Sequence, residues 1–194
     1  MAARIGLDRD DVVGAALTLL EERGPSTPVS LGDVAARLGI RTQSLYAHVD
    51  GAEGLRRELA LPGLRELAER LNEAAIGRAG PDAVEAIVRA WLAFAAERPG
   101  LYAATLRPPG ADPEIGAAMV STMRPLMLVL ASYGLTDDMA THWYRIVFAA
   151  VHGFATLRAE GKLTFPADPD ETVTLMIDAF TSQLERASAS SVPS

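Results

Sequence analysis

The sequence predicts an all-α chain, with a small three-helix unit at its N-terminus and a larger helical body behind it. Three observations carry that expectation. Apolar residues recur at three- and four-residue spacing along most of the chain, and no stretch alternates with the period-two pattern of a strand. Ser, Thr, Asp, Gly and Pro fall where the periodic stretches begin and end. A chain of 194 residues, 49% of them hydrophobic, can bury one substantial core and a small satellite. The expected division is 1–54, 55–188 and a tail, 189–194; the Ser/Ala-rich end reads as disordered from Ala187 onward.

The first helix is expected over Asp8–Arg23, with Val12, Val13, Ala16, Leu17, Leu19 and Leu20 inward and Gly24-Pro25 as its stop. Ser30 and Asp33 have the spacing of a capping box, so a second helix starts at Leu31. Its apolar face is Leu31, Val34, Ala35 and Leu38, and Gly39 can take the positive φ needed to leave it. Ile40 then plugs a corner, Thr42 caps a helix running to about His48, and a third helix begins near Ala52. Leu45 and Val49 face inward, which leaves Thr42, Gln43, Ser44, Tyr46 and His48 outside. The segment 30–50 therefore reads as a helix-turn-helix. A short exposed helix with hydrogen-bonding side chains suits the major groove, and the same local pattern also suits two ordinary helices joined at a glycine turn.

Through the body the pattern stays helical. Leu55, Leu59, Leu64, Leu67 and Leu71 line a segment that Pro62-Gly63 interrupts, where a bend is expected, either static or acting as a lever. Asp82 is expected to cap a helix through Trp91, Leu92, Phe94 and Ala95, ending at Arg98-Pro99-Gly100; Leu101-Tyr102 opens a short helical turn. The loop Arg107-Pro108-Pro109-Gly110 leads to a helix opened by Asp112-Pro113 and reaching Tyr133-Gly134, with Met119, Met123 and Met127 on one stripe. Asp137 is expected to cap a long helix through Trp143, Tyr144, Val147, Phe148, Val151 and Leu157, closed by Gly161. After Phe165-Pro166, Asp168-Pro169 starts the last helix, with Val173, Met176, Ile177, Phe180 and Leu184 inward.

Composition excludes several functions. With no cysteine, disulfides and thiolate metal sites are impossible. His48, His142 and His152 are not spaced as a metal set, and no serine sits in a G-x-S-x-G elbow. Glu21-Glu22 and Asp137-Asp138 sit at helix ends, where capping and solvation explain them. No enzyme, cofactor or metal is expected. No run approaches the ~20 apolar residues of a membrane span, and no signal-peptide core is read at the N-terminus, so a soluble cytoplasmic protein is expected. The net charge is −7, and residues 1–60 carry seven arginines against nine acids, which gives no global basic footprint. Yet no acid lies between Asp33 and Asp50, while Arg37, Arg41 and His48 do. That local balance favours specific, salt-sensitive DNA binding with weak affinity for random sequence.

The N-terminal third resembles the tetracycline-repressor (TetR) family of transcriptional regulators. The likeness rests on Val12-Val13-Gly14-Ala15-Ala16, Glu22-Arg23-Gly24, Ser30-Leu31-Gly32-Asp33-Val34-Ala35, Leu38-Gly39-Ile40 and Ser44-Leu45-Tyr46-Ala47-His48-Val49, in order and spacing. Departures are Ala52, where a phosphate-contacting lysine is usual, Ala47, often basic, and Val49, usually Phe. Further on, Phe94-Ala95-Ala96-Glu97-Arg98-Pro99-Gly100-Leu101-Tyr102, with Trp143-Tyr144-Arg145 and His152-Gly153, resembles the WHG-type regulatory domain of one TetR branch. The resemblance implies a homodimeric, ligand-responsive regulator, expected to be a repressor, on palindromic double-stranded operator DNA. The residues then assigned to DNA are Ser30, Arg41, Thr42, Gln43, Ser44, Tyr46 and His48, with Gln43 on base edges. An apolar or aromatic effector is assigned to Trp91, Phe94, Tyr102, Met119, Met123, Met127, Trp143, Tyr144 and Phe148, although a methionine stripe equally serves core packing. His152 beside Gly153 can orient a ligand or serve as a hydrogen-bonded structural residue. Dimerisation is assigned to the last two helices through Ala149, Gly153, Met176, Phe180 and Leu184. The alternative is a helical small-molecule-binding protein with a degenerate DNA-binding head.

Overall fold

The computed structural model describes residues 7–106 and 110–190. Among them are eight α-helices, one 3-10 helix and no strand. They are α1 (Arg9–Arg23), α2 (Leu31–Leu38), the 3-10 helix (Thr42–Ala47), α3 (Gly51–Ala75), α4 (Gly80–Glu97), α5 (Pro99–Thr105), α6 (Pro113–Ser132), α7 (Asp137–Ala159) and α8 (Pro169–Ser190). The predicted Arg107-Pro108-Pro109 part of the loop lies outside the described residues, as does the tail beyond 190. Within them the chain holds its helix to Ser190, past the Ala187 where order was expected to end.

The head follows its local chemistry. Asp8 and Asp11 cap α1 reciprocally, and Ser30 and Asp33 do the same for α2. Gly39 closes α2 in the left-handed region, at φ 67° and ψ 32°, a conformation a side chain would strain. The next element is a 3-10 helix rather than the expected α-helix. Arg41 is its N-cap, without a side-chain bond, so Thr42 opens the turn and does not cap it. Leu45 is the one buried residue of this helix, and the N–H of His48 donates to its carbonyl at 2.9 Å, the i→i+3 bond of the tighter turn.

α3 runs unbroken for 25 residues from the head into the body, so the expected boundary after residue 54 falls inside a shared helix. It also runs through Pro62-Gly63, where an interruption was expected. Pro62 lacks the N–H that would bond the Glu58 carbonyl, and packing against neighbouring helices holds α3 together instead. Gly63 is buried, and a Cβ there would lie 2.8 Å from Thr105 Cγ2 and 3.1 Å from the Leu101 carbonyl. The Pro-Gly step thus permits the close approach of α5.

α4 is the central helix of the body. Val84, Ile87, Val88 and Phe94 are fully buried on it, and it packs against α3, α5, α6, α7 and α8. Its N-cap is Ala79, with Asp82 in the first turn, and α7 is capped by Thr136 rather than Asp137. Asp112 caps α6 as expected, accepting from the N–H groups of Glu114 and Ile115. Contrary to the sequence expectation, α6 is long and apolar enough to cross a membrane by length and composition. Here its Ile115, Leu126, Val129 and Leu130 are buried, and it packs on α3, α4 and α7. The larger of two clusters of buried side chains runs from Val12 to Leu184, so head and body share it.

Candidate functional site

The head presents the assigned side chains outward. Ser30, Arg41, Thr42, Gln43, Ser44 and Tyr46 are exposed, Tyr46 by 61%, and His48 is half-buried. Ser30 is already engaged at its cap: its hydroxyl donates to Asp33, and the Asp33 N–H donates back to it at 3.2 Å. Arg23 donates to the other Asp33 oxygen at 2.7 Å, and this bond first, then those from Ser30, hold the carboxyl far below the usual carboxylate range. Ion pairing is dense around the reading surface. Arg9 pairs with Glu58, Arg23 with Asp33, Arg37 with Glu22, Arg56 with Glu53, and Arg57 with Asp112 and Glu114. Of the six arginines at positions 7–60, only Arg41 has no acidic partner among the described residues, and it stands at the N-terminus of the 3-10 helix. The paired acids of the head are therefore matched to arginines other than Arg41.

A cavity of about 200 Å³ opens in the body between α3, α4, α5, α6 and α7. Six of the nine residues assigned to an effector line it: Trp91, Tyr102, Met119, Met123, Tyr144 and Phe148. Three do not. Phe94 is wholly buried behind the wall, edge-on to the Tyr102 ring, with the Arg70 guanidinium 5.3 Å from its centroid. Met127 sits on α6 a turn beyond the cavity, packed against the core, and Trp143 is turned about 100° from Tyr144 around α7. The sequence reading missed Leu64, Leu67, Thr105, Leu106 and Thr122. Leu64 and Leu67 were legible only as the inner face of α3. The two threonines carry no distinguishing signal in the sequence, and only the fold places them together.

Polar atoms cluster beside the cavity, at His152 and Thr156, which do not line it. Tyr102 Oη lies 3.3 Å from His152 Nδ1, and Thr156 Oγ1 lies 3.3 Å from the same nitrogen. Burial holds His152 below its ordinary pKa, so at neutral pH it is the uncharged ring. Burial pushes both Tyr102 and Tyr144 up to about 12; at Tyr102 the nearby Trp91 N–H pulls slightly the other way. That indole N–H is close to Tyr102 yet makes no hydrogen bond of good geometry, which leaves a buried donor without a partner. Tyr144, Phe148 and His152, one turn apart on α7, stack in series with interplanar angles of 14° and 15°.

Head and cavity meet at α5. Glu21 of α1 accepts from the backbone N–H groups of Gly100 and Leu101, each at 3.1 Å, and from Arg98 Nε at 3.1 Å. Gly100 lies against the end of α1 so closely that a Cβ would sit 2.4 Å from the Leu20 carbonyl oxygen. One residue beyond Leu101, Tyr102 is in the cavity wall.

On the face expected to meet a second chain, Ala149 is exposed and Gly153 and Met176 are half-buried. Phe180 and Leu184 are corrected: both are buried within this chain, Leu184 completely, because α8 lays them on α4. Exposed apolar side chains remain on that side, including Met139, Ile146 and Leu157 on α7 and Leu175 on α8.

Residues 84–180 match the family model for the tetracyclin repressor-like C-terminal domain. The chain is 35% identical over 182 residues to an uncharacterised HTH-type transcriptional regulator of Mycobacterium tuberculosis, spanning 93% of this chain and 83% of that protein. It is 30% identical over 185 residues to the uncharacterised HTH-type regulator YobS of Bacillus subtilis, spanning 95% and 96%. Its fold is shared with a TetR variant of Acinetobacter baumannii crystallised with minocycline, at a TM-score of 0.69, 20% identity and coverage of 94% and 98%.

Proposed function

The chain belongs to the TetR family of transcriptional regulators, and on that footing we propose a homodimeric cytoplasmic repressor that a small apolar or aromatic molecule releases from a palindromic operator. The head, residues 1–54, does the reading. Gln43 pairs with base edges, while Thr42, Ser44, Tyr46 and His48 engage phosphates and sugars and Arg41 adds the unpaired charge. Two copies meet through α7 and α8, across Met139, Ile146, Ala149, Gly153 and Leu157 of α7 and Leu175 of α8. The two-fold then spaces the reading helices by about one DNA turn or a multiple of it.

The observation that carries the switch is the double duty of α5. Tyr102 and Thr105 belong to the cavity wall, and the first N–H groups of the same helix are held by Glu21 of α1. A molecule that fills the cavity and shifts α5 alters the seat of α1, and it shifts the DNA-competent population by its differential affinity for the two states. The minocycline held by the Acinetobacter baumannii protein supports a small-molecule signal without naming this one. Electrophoretic mobility shift with the DNA upstream of the protein's own gene is the test. A retarded band at micromolar protein, moved by competitor operator and not by random DNA, is expected; its absence at ~100 mM salt sinks the reading.

A further inference from the structure

Resting on the proposed function, in which the cavity takes a signal molecule, we propose that this molecule is an uncharged aromatic of one or two rings bearing one hydrogen-bond-accepting oxygen, as in an aryl ketone. Size sets the first bound. An apolar cavity of ~150 Å³ holds a benzene ring, and one of about 200 Å³ has room for a second fused ring. Shape sets the second. Tyr144 and Phe148, with rings within 14° of parallel, give the cavity an aromatic side on α7, and Met119 and Met123 bring flexible thioethers to it from α6.

Charge sets the third bound. No Asp, Glu, Lys or Arg lines the cavity, and its phenols are neutral at physiological pH, so an ion would lose its water and find no counter-charge. The remaining hydrogen-bonding capacity selects the oxygen. Thr105 and Thr122 donate their protons to the Tyr102 and Met119 carbonyls, each at 2.7 Å. The Tyr102 hydroxyl is already beside His152. One donor of the wall is left over, the Tyr144 hydroxyl, which has no hydrogen-bond partner among the described residues; the Trp91 N–H is buried away from the cavity's free space. A ligand with an acceptor satisfies the Tyr144 hydroxyl, and a bare hydrocarbon leaves it unpaired.

Calorimetric titration of the full chain with 1-tetralone, tetralin, 1-naphthoate and minocycline tests this. Tetralone is expected to bind roughly five-fold more tightly than tetralin, its carbonyl-free analogue. Naphthoate and minocycline are expected at least about tenfold weaker than tetralone. Tyr144→Phe should bring the tetralone-to-tetralin ratio close to one while tetralin still binds; Met123→Trp should block both, with melting temperature as the check on folding. No heat from tetralone up to its solubility overturns the assignment. So does naphthoate or minocycline binding as tightly as tetralone, or a ratio that Tyr144→Phe leaves unchanged. The mobility shift keeps ligand class and release mechanism apart: tetralone that binds as described yet leaves the operator complex intact upholds the first and sinks the second.

Discussion

The reading head and the cavity wall are built from contacts of opposite range. In the head, Ser30 and Asp33 are three positions apart, Arg23 and Asp33 ten, and Arg37 and Glu22 fifteen. Around the cavity and its junction, Tyr102 meets His152 fifty positions away, and Glu21 holds Gly100 across seventy-nine. The head folds on neighbours and points its working side chains to solvent, so changes there should cost function before stability. The cavity exists only while distant helices stay docked, so changes at its joints should cost stability first.

The sharpest way to break that comparison is Gly100→Val. Its Cβ would fall 2.4 Å from the Leu20 carbonyl, against backbone that cannot step aside. A loss of about 3 kcal/mol or more is expected, which is roughly 6–12 °C in melting temperature for a chain of this size. An unchanged melting curve would mean that α1 and α5 are not seated as described. Glu21→Ala comes next. It strips two α5 N–H groups and Arg98 of a shared carboxylate, at about 1–3 kcal/mol by chemical denaturation. It should also weaken the effect of any cavity ligand on operator binding.

Asp33 gives a smaller effect that pH can switch off. Its carboxyl is held below the ordinary range by Arg23 and then Ser30, so its stabilising contribution is full above the unfolded value near 4. That contribution fades as pH falls toward the lower folded value. The gap in melting temperature between the parent protein and Asp33→Asn should therefore be open at pH 7 and narrow as the pH is taken to 3; a gap independent of pH assigns the effect to something other than this charge. Gln43→Ala should move stability least, within about 0.5 kcal/mol for an exposed site. It should nonetheless relax operator discrimination by ~1–3 kcal/mol in competition shifts, whereas Tyr46→Phe should weaken all sites alike.

This difference in range also explains what the sequence disclosed. The capping box of Ser30 and Asp33, the turn at Gly39 and the outward side chains of Thr42, Gln43, Ser44 and Tyr46 were legible because each depends on residues a few positions apart. The 3-10 form of the short helix was not, since Arg41 offers no cap and a single buried leucine anchors it. In the body, helices and their apolar faces were legible, and six cavity residues followed from the clustering of aromatics and methionines. Periodicity could not show that α6 outruns the cavity at Met127, that α8 hands Phe180 and Leu184 to α4, or that Pro62-Gly63 makes room for α5 inside a continuous helix. Nor could it show the Glu21 clasp, because nothing near Glu21 in the sequence marks α5 as its partner.

The paired arginines of the head bear on how many copies of the protein a cell needs. Attraction to DNA of any sequence comes from cations facing phosphates. While Arg9, Arg23, Arg37, Arg56 and Arg57 remain matched to acids, little of that attraction is on offer. A genome presents on the order of 10⁶–10⁹ competing positions, and a strongly basic regulator is stored on them. On the proposed function, a head neutralised in this way is expected to leave more of the protein free, so that operator occupancy follows the concentration of active dimer more closely. A modest number of molecules is then expected to suffice at a promoter, because fewer are held elsewhere on the chromosome.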